Sequence, residues 1–192
     1  MIYTLTRRFP ILAVVLLSVG ASLVSLPAFS APTSDRPTHS TEISQRIAQA
    51  RGSTYREPNG LFEISFPSGY TFSETGSGIS FASRDQSFAG SVKIGSAHGR
   101  TFTLEQLEGS LKAEYGQRLH DITWQGSSVQ PDGSLRVDWV GTDSDGNDLD
   151  AVSFIEQHGN TIFILDLFGV NEPYANYNSD AEAIVGTYRV RQ

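Results

Sequence analysis

Two neighbouring segments, residues 149–157 and 161–168, are apolar on both faces when they are read as extended chain. Side chains alternate between the two faces of a β-strand, so residues two apart share a face. One face would carry Val152, Phe154, Phe163, Leu165 and Leu167, and the other Ile155, Ile162, Ile164 and Phe168. Because a sheet that is apolar on both faces needs cover on both sides, these segments predict the central layer of the domain.

Two helices with apolar stripes are the predicted covering layers. Thr103 and Gln106 have the spacing of a capping box, which marks the start of a helix. The stripe that follows consists of Leu104, Leu107, Leu111 and Tyr115, and it ends at Gly116. A second helix is predicted to start near Pro173, which suits a first helical turn. Its stripe consists of Tyr174, Tyr177, Ala181, Ile184 and Tyr188.

The remaining alternating segments predict further strands, and the dipeptide Asp145-Gly146 predicts a hairpin turn. Pro67 ends the first of these strands, because proline cannot donate to a β-ladder, and Gly69 permits the turn that follows. The predicted strands cover residues 61–66, 78–83, 91–96, 121–126 and 136–142. The order strands, helix, strands, helix predicts an α+β domain at residues 59–192, with one mostly antiparallel sheet sandwiched between helices.

The N-terminal residues 1–30 have the composition of a secretory signal peptide. Arg7 and Arg8 precede an apolar run at 11–17, and Ala28 and Ser30 fit the small residues of a cleavage site. The alternative is an uncleaved anchor, but serines and a glycine interrupt residues 11–26, whereas a spanning helix needs about 20 mostly apolar residues. We therefore expect export to a periplasm or a thylakoid lumen, and no membrane span after cleavage. Residues 31–58 are predicted to be a polar linker that is either disordered or docks on the domain through its short amphipathic stretch at 43–50.

The composition excludes several classes of function. The chain contains no cysteine, which excludes disulfides, thiolate metal sites and a lipid anchor on an N-terminal cysteine. Its net charge is −7, and no cluster of cations is available for a phosphate backbone, so nucleic acid is not an expected partner. A protein partner or a cation is compatible with this charge.

No sequence pattern indicates a catalytic site. The motifs G-x-S-x-G and G-x-x-x-x-G-K-[ST] are absent, and the four histidines, His39, His98, His120 and His158, show no metal-ligand spacing. Two aspartates, Asp138 and Asp166, interrupt apolar strands, but a simple hairpin register places them on opposite faces. A carboxylate dyad is therefore not expected, and the preferred interpretation is that the two aspartates are polar positions near strand ends or are hydrogen-bonded to a helix. A hydrolase site in the cleft between sheet and helix is the remaining enzymatic alternative.

The acidic stretch at residues 143–150 is the candidate metal site. Its oxygen-bearing residues suit Ca²⁺ or Mn²⁺, since hard cations prefer oxygen ligands. The candidate ligands are Asp143, Asp145, Asn147, Asp148 and Asp150. The stretch does not match the EF-hand pattern, because its glycine is fourth and Phe154 stands at the twelfth position. The alternative interpretation is a solvated hairpin turn.

Several short motifs together resemble a known family. They are Phe-Pro-x-Gly-aromatic at 66–70, Thr-Ile-Phe-Ile-Leu at 161–165, Glu-Pro-Tyr-Ala-Asn-Tyr at 172–177 and the closing Gly-Thr-Tyr at 186–188. With the helix at 103–116 and the Asp-Gly hairpin, they resemble the PsbP-like domain of the PsbP/Mog α-β-α sandwich superfamily, over residues 55–190. The missing lipoprotein cysteine, and Tyr70 where the family often has tryptophan, are typical of a soluble paralogue.

The resemblance implies a non-catalytic accessory domain that binds a protein partner. In a photosynthetic host, it implies a lumenal factor that assists assembly or ion retention at photosystem II, a membrane complex. The resemblance does not assign a cofactor to the domain. A cation-binding module that uses residues 143–150, and a hydrolase, are the alternatives.

Overall fold

The computed structural model describes residues 52–191, which form ten strands and two α-helices. The strands are β1 (Ser53–Arg56), β2 (Phe62–Phe66), β3 (Tyr70–Thr75), β4 (Gly78–Ser83), β5 (Phe88–Ser96), β6 (His120–Val129), β7 (Leu135–Thr142), β8 (Asp148–His158), β9 (Thr161–Val170) and β10 (Arg189–Val190). The helices are α1 (Leu104–Arg118) and α2 (Asn178–Thr187), and a 3₁₀ turn at Tyr174–Tyr177 leads into α2. A seven-stranded antiparallel sheet has the order β3-β4-β5-β9-β8-β7-β6, and a three-stranded sheet has the order β1-β2-β10. The predicted α+β class with a mostly antiparallel sheet is confirmed.

The assignment of side chains to the two faces of β8 and β9 is confirmed by their register. Ile155 lies opposite Ile164, and Phe154 lies opposite Leu165. The face that carries Ile155 and Ile164 is covered by α1, whose Leu107, Leu111 and Tyr115 are buried there. The capping box is present, since Thr103 accepts from the backbone of Gln106 while the Gln106 side chain accepts from the backbone of Thr103.

The opposite face of the large sheet is covered by a helix and by the small sheet. Helix α2 contributes Ala181 and Ile184, as its stripe predicts. The small sheet provides the rest of the cover, because Phe62, Ile64 and Phe66 of β2 point into the same core. The alternation of residues 61–66 predicts the strand itself. Its membership of a separate sheet is a finding of the structure.

The folded domain begins earlier than its composition predicts. Strand β1 lies within the segment 31–58 that we interpret as a linker, and its Tyr55 is buried against Phe62. Strand β1 pairs with β2, since Ser53 lies opposite Phe66. The folded domain therefore includes residues 53–56, and the boundary predicted at residue 58 is too late in the sequence. The predicted signal peptide at 1–30, its anchor alternative and the amphipathic stretch at 43–50 lie outside the described residues. Within residues 52–191, no helix combines the length and the hydropathy that a membrane crossing requires.

Candidate functional site

The most distinctive polar feature of the domain is a buried carboxylate, Asp166, in the middle of β9. Its side chain is 4% exposed, and it lies on the face of the large sheet that α1 covers. The neighbouring strands β5 and β8 both place a serine opposite it, Ser91 and Ser153 respectively. The three residues form a polar row across the centre of the sheet, on the same face as the apolar side chains of Ile155 and Ile164.

Four donors surround the carboxylate of Asp166. Oδ1 accepts from the hydroxyl of Tyr115 at 2.5 Å and from the hydroxyl of Ser153 at 2.7 Å. Oδ2 accepts from the hydroxyl of Ser91 at 3.0 Å and lies 3.0 Å from Nζ of Lys93. We call Asp166 and these four partners the Asp166 network. Its members come from β5, α1, β8 and β9, so the network ties the helix to three adjacent strands.

The Asp166 network continues into the aromatic residues beneath α1. The indole Nε1 of Trp139 donates to Oγ of Ser153 at 3.0 Å, and the rings of Trp139 and Tyr115 meet edge to face. Nζ of Lys93 lies 3.3 Å from the hydroxyl of Tyr115 and 4.8 Å from the centre of its ring. A buried charge needs such partners, because its removal from water is costly unless it is paired and hydrogen-bonded.

Within the Asp166 network, the phenol of Tyr115 is held as a hydrogen-bond donor. Burial, and then the negative charge of Asp166, raise the pKa of Tyr115 well above its usual value. The phenol therefore keeps its proton and acts as a donor at neutral pH. The Lys93 side chain is 25% exposed, so its ammonium reaches the carboxylate from the rim of the buried region. No member of the network lines either of the two surface clefts described below.

The other aspartate that interrupts an apolar strand, Asp138, lies on the opposite face of the sheet. The register of β7, β8 and β9 aligns Asp138 with Val152 and Leu167, whereas Asp166 aligns with Ser153 and Val137. This confirms that the two aspartates do not face each other. Asp138 forms an ion pair with Arg136 at 2.7 Å, and hydrogen bonding by Asp138 raises the pKa of that guanidinium.

Residues 143–147 of the acidic stretch form the β7–β8 hairpin turn, which Asp143 closes, and Asp148 and Asp150 lie at the start of β8. Oδ1 of Asp143 accepts from the backbone of Asp145 and Asn147, and Oδ2 accepts from the side chain of Asn147. Gly146 has a φ of 84°, which is the left-handed conformation that the Asp-Gly dipeptide predicts. Both oxygens of the Asp143 carboxylate are thus used within the turn.

Two acidic residues of this stretch, Asp148 and Asp150, face a surface cleft of about 450 Å³ that Asp145 does not line. Asp148 and Asp150 line it together with Asp121 and Glu172, and Oδ2 of Asp150 accepts from the backbone of Tyr174. Among residues 52–191, no three His, Cys, Asp or Glu side chains are grouped as a metal ion would require. The binding of Ca²⁺ or Mn²⁺ by residues 143–150 stays a prediction.

A second, smaller cleft of about 260 Å³ lies where the start of α1 meets the end of β8. Its apolar wall includes Phe102 and Leu107, and its polar wall includes Glu156 and His158. His158 is the last residue of β8 and is half-buried, and its Nε2 lies 2.5 Å from the carboxylate of Glu156. His98 and His120, in contrast, are exposed, and His39 lies outside the described residues.

Comparison with solved structures identifies the architecture. The chain superposes on the solution structure of cyanobacterial PsbP (CyanoP) from Synechocystis sp. PCC 6803 with a TM-score of 0.57. The match covers 74% of this chain and 94% of that protein, at 14% sequence identity. The fold is PsbP-like. No protein-family profile matches the sequence, and no curated protein matches it.

The PsbP-like fold is also similar to a crystal structure from Bacteroides thetaiotaomicron VPI-5482. That superposition has a TM-score of 0.50 and 15% identity, and it covers 74% of this chain but only 49% of the other protein. At such identities, the likeness concerns the arrangement of strands and helices alone. The individual side chains of this PsbP-like domain must be interpreted from their own contacts.

The sequence analysis does not predict the Asp166 network, although every member of the network lies in a predicted strand or helix. The alternation places Asp166 on the correct face and leaves two roles open, a position near a strand end or a hydrogen bond to a helix. The bond from Tyr115 agrees with the second. The sequence analysis assigns Tyr115 only to the apolar stripe of α1 and Lys93 only to a strand. The signal was a polar residue on the same face of each of three strands, Ser91, Ser153 and Asp166, which a strand register would have aligned.

Proposed function

We propose that this chain is a non-catalytic, exported accessory domain that binds a protein partner. In a photosynthetic host it would act in the lumen as a factor associated with photosystem II. The observation that carries the proposal is the PsbP-like fold, which matches cyanobacterial PsbP over 94% of that protein's length. The sequence features of residues 1–30 support an exported location.

The chemistry of the Asp166 network supports the non-catalytic part of the proposal. A catalytic acid or base needs access to a substrate and a pKa near the working pH. Asp166 is enclosed by four donors, and Tyr115 holds its proton because its pKa is raised. The Asp166 network is accordingly suited to holding α1 on the sheet, so that the domain presents a fixed surface to a partner.

Binding to membranes that contain photosystem II tests the proposal. The chain, expressed with a tag, is mixed with membranes that contain the complex, and the amount that sediments with them is compared at low and at raised salt. We expect saturable binding that weakens as salt increases, because the acidic surface contributes through screened charges. An absence of saturable binding would contradict the photosystem assignment.

Export is tested separately, because it does not depend on the partner. Residues 1–30 are fused to a reporter enzyme that is active only outside the cytoplasm. We expect reporter activity, and an N-terminus at Ala31 after processing, if the small residues Ala28 and Ser30 direct cleavage. A charge in the apolar run, as in Val14→Glu, should abolish the activity. Equal activity with and without that change would contradict export through this segment.

A cation-binding role is a second candidate, which the cleft beside Asp148 and Asp150 favours. Calorimetry with Ca²⁺ and with Mn²⁺ tests it. The informative variant changes Asp145→Ala and Asp148→Ala together, because Asp143, whose carboxylate closes the turn, remains in place. Binding heats that disappear in this variant would support the site. Heats that are the same in both proteins would rule it out.

A further inference from the structure

An exposed apolar side chain, Phe72 of β3, lies at the rim of the core between the two sheets. Its ring contacts the rings of Tyr55 and Phe66, with centroids 5.4 and 5.6 Å away respectively. Phe72 is nevertheless 36% exposed, and every residue at 71–75 is exposed with it. The described residues therefore leave part of this ring open to solvent.

The N-terminal part of the chain enters the described domain beside this ring. Ser53 is the first residue of β1, and it lies opposite Phe66. Gly52 precedes it with a φ of 77°, and a methyl group at Gly52 would overlap the carbonyl oxygen of Phe66. Since one residue of extended chain spans about 3.3–3.6 Å, the residues just before Gly52 can reach Phe72.

The sequence at 41–52 has the start and stop signals of a short helix. Thr41 is a residue type that caps the N-terminus of a helix. Glu42 follows it and Arg51 stands at the other end, which is the charge order that the helix dipole favours. Glycine in the left-handed conformation commonly follows the last residue of a helix, and Gly52 has this conformation. The described geometry of Gly52 thus agrees with a helix that ends at Arg51.

We propose that residues 42–51 dock as a short helix on Phe72 and close the rim between β1 and β3. On such a helix the apolar residues of the segment share one side, because they are spaced at i, i+4 and i+7. They are Ile43, Ile47 and Ala50. The other exposed large apolar residue of the described chain, Val129, belongs to β6 at the far edge of the large sheet. Phe72 is therefore the apolar side chain that this stripe can cover.

Charge and connectivity select this segment as the occupant. Residues 43–51 contain two arginines, Arg46 and Arg51, and no acidic residue. Glu74 is two positions from Phe72, so both side chains lie on one face of β3, and Glu74 forms no ion pair with another described residue.

The covalent connection allows a small contact to suffice. A segment joined to the domain by a short linker has an effective concentration on the order of millimolar, so docking through a few side chains is populated. A second copy would have to compete with this segment while two chains of net charge −7 repel each other. The contact does not depend on the proposed accessory function.

Proteolysis and amide exchange of the full chain test the contact. Trypsin cleaves after arginine, so the rate of cleavage after Arg46 measures how often the segment is undocked. Amide exchange of residues 43–50 is measured on the same samples at several protein concentrations. We expect the segment to be protected in both measurements, to the same degree at every concentration, because the contact forms within one chain.

Matched variants separate docking from helix formation alone. Phe72→Ser removes the ring that is covered, whereas Val129→Ser removes the other exposed apolar side chain. Ile47→Ser interrupts the stripe, whereas Ala48→Ser lies off the stripe and costs more helix propensity. We expect Phe72→Ser and Ile47→Ser each to speed cleavage after Arg46 at least about threefold, because each removes apolar surface that docking buries. The two controls should change it less than about twofold.

Two results would overturn the proposal. One is a parent chain in which residues 43–50 are cleaved and exchange as fast as in the Ile47→Ser variant. The other is protection that rises with protein concentration, which would assign the contact to a second copy. If Phe72→Ser unfolds the domain, which exchange in β8 and β9 would reveal, the comparison of Ile47→Ser with Ala48→Ser decides.

Discussion

The hydroxyl of Tyr115 and the carboxylate of Asp166 lie 2.5 Å apart at the boundary between α1 and the large sheet, although 51 residues separate them in the sequence. Of the three apolar anchors of α1, Leu107, Leu111 and Tyr115, only the last carries a polar group into the interior. The position of the helix on the sheet therefore depends on one hydrogen bond to a buried charge as well as on apolar contact.

Removal of this hydroxyl should destabilise the domain. Tyr115→Phe keeps the ring but leaves a buried charge with one donor fewer, and hydrogen bonds to charged groups contribute about 1.5–3 kcal/mol. We expect the free energy of unfolding to fall by about 2 kcal/mol, measured by urea denaturation. Amides of α1 should lose protection more than those of α2.

The same change at Tyr188 provides the control. Its hydroxyl is buried but has no hydrogen-bond partner among the described residues, and its ring contacts Phe62. Removal of an unsatisfied buried hydroxyl relieves its desolvation cost. Tyr188→Phe should therefore leave the stability unchanged or raise it by up to about 1 kcal/mol. Equal losses in the two variants would show that ring packing alone determines the effect at both sites.

Asp166 and Lys93 should show strong energetic coupling. Lys93→Met keeps the apolar stem of the side chain but leaves Asp166 without its cation, so we expect a loss of about 2–3 kcal/mol. In an Asp166→Asn background, the same Lys93→Met change should cost less than about 1 kcal/mol, because no buried charge remains to be compensated. A double-mutant cycle by urea unfolding measures the difference. If the stability losses of the two single variants add up in the double variant, Asp166 and Lys93 are not energetically coupled, which would contradict the ion pair.

Stability should fall at alkaline pH. Burial is the leading cause that raises the pKa of Tyr55, Tyr70, Tyr115, Tyr174 and Tyr188. For Tyr174 it raises the pKa to about 12. Because these phenols bind protons more tightly in the folded state, their contribution is complete below the unfolded pKa of about 10. It is lost as pH rises through the folded values, so the free energy of unfolding should decline from about pH 10 to about pH 12.

Urea unfolding at each pH, with tyrosinate absorbance as a second signal, measures this decline. The Tyr115→Phe variant should lose stability less steeply than the parent over the same range. A stability that is flat to pH 12 would contradict the raised pKa values.

Two glycines of β5 should differ in how much their substitution by alanine destabilises the domain. A methyl group at Gly90 would overlap the carbonyl oxygen of Asp166 and the ring of Phe81, whereas at Gly95 no atom lies within 4 Å. We expect Gly90→Ala to cost at least about 2 kcal/mol through overpacking. Gly95→Ala should be neutral within about 0.5 kcal/mol. Melting curves of the two variants test this, and a Gly90→Ala protein as stable as Gly95→Ala would contradict the close approach of β5 and β9.

The sequence was sufficient to predict the layered architecture, because its strongest signals are local periodicities. Alternation assigned the faces of β8 and β9 correctly, and the helical stripes identified both α1 and α2. The capping residue Thr103 marked the start of α1 within one residue. These features depend on residues that are close in the chain, which is why a single sequence reveals them.

The division into two sheets and the composition of the Asp166 network were not predictable in the same way. In the small sheet, β2 pairs with β1 on one side and on the other with β10, which lies more than a hundred residues later. The network needs the register between β5 and β9, which pair Ser91 with Asp166 across 75 residues. No local pattern encodes such pairings, since they follow from how distant strands bury their apolar faces.

The pairing of β10 with β2 has a consequence for how the domain forms in the cell. Arg189 lies opposite Glu63, and the backbone of Arg191 donates to Leu61. Until ribosomes have added these residues, β2 lacks one neighbour and Phe62 lacks the ring of Tyr188. A nascent chain that lacks these residues cannot complete the small sheet, so we expect the core beneath β2 to close only after the C-terminal residues have been made.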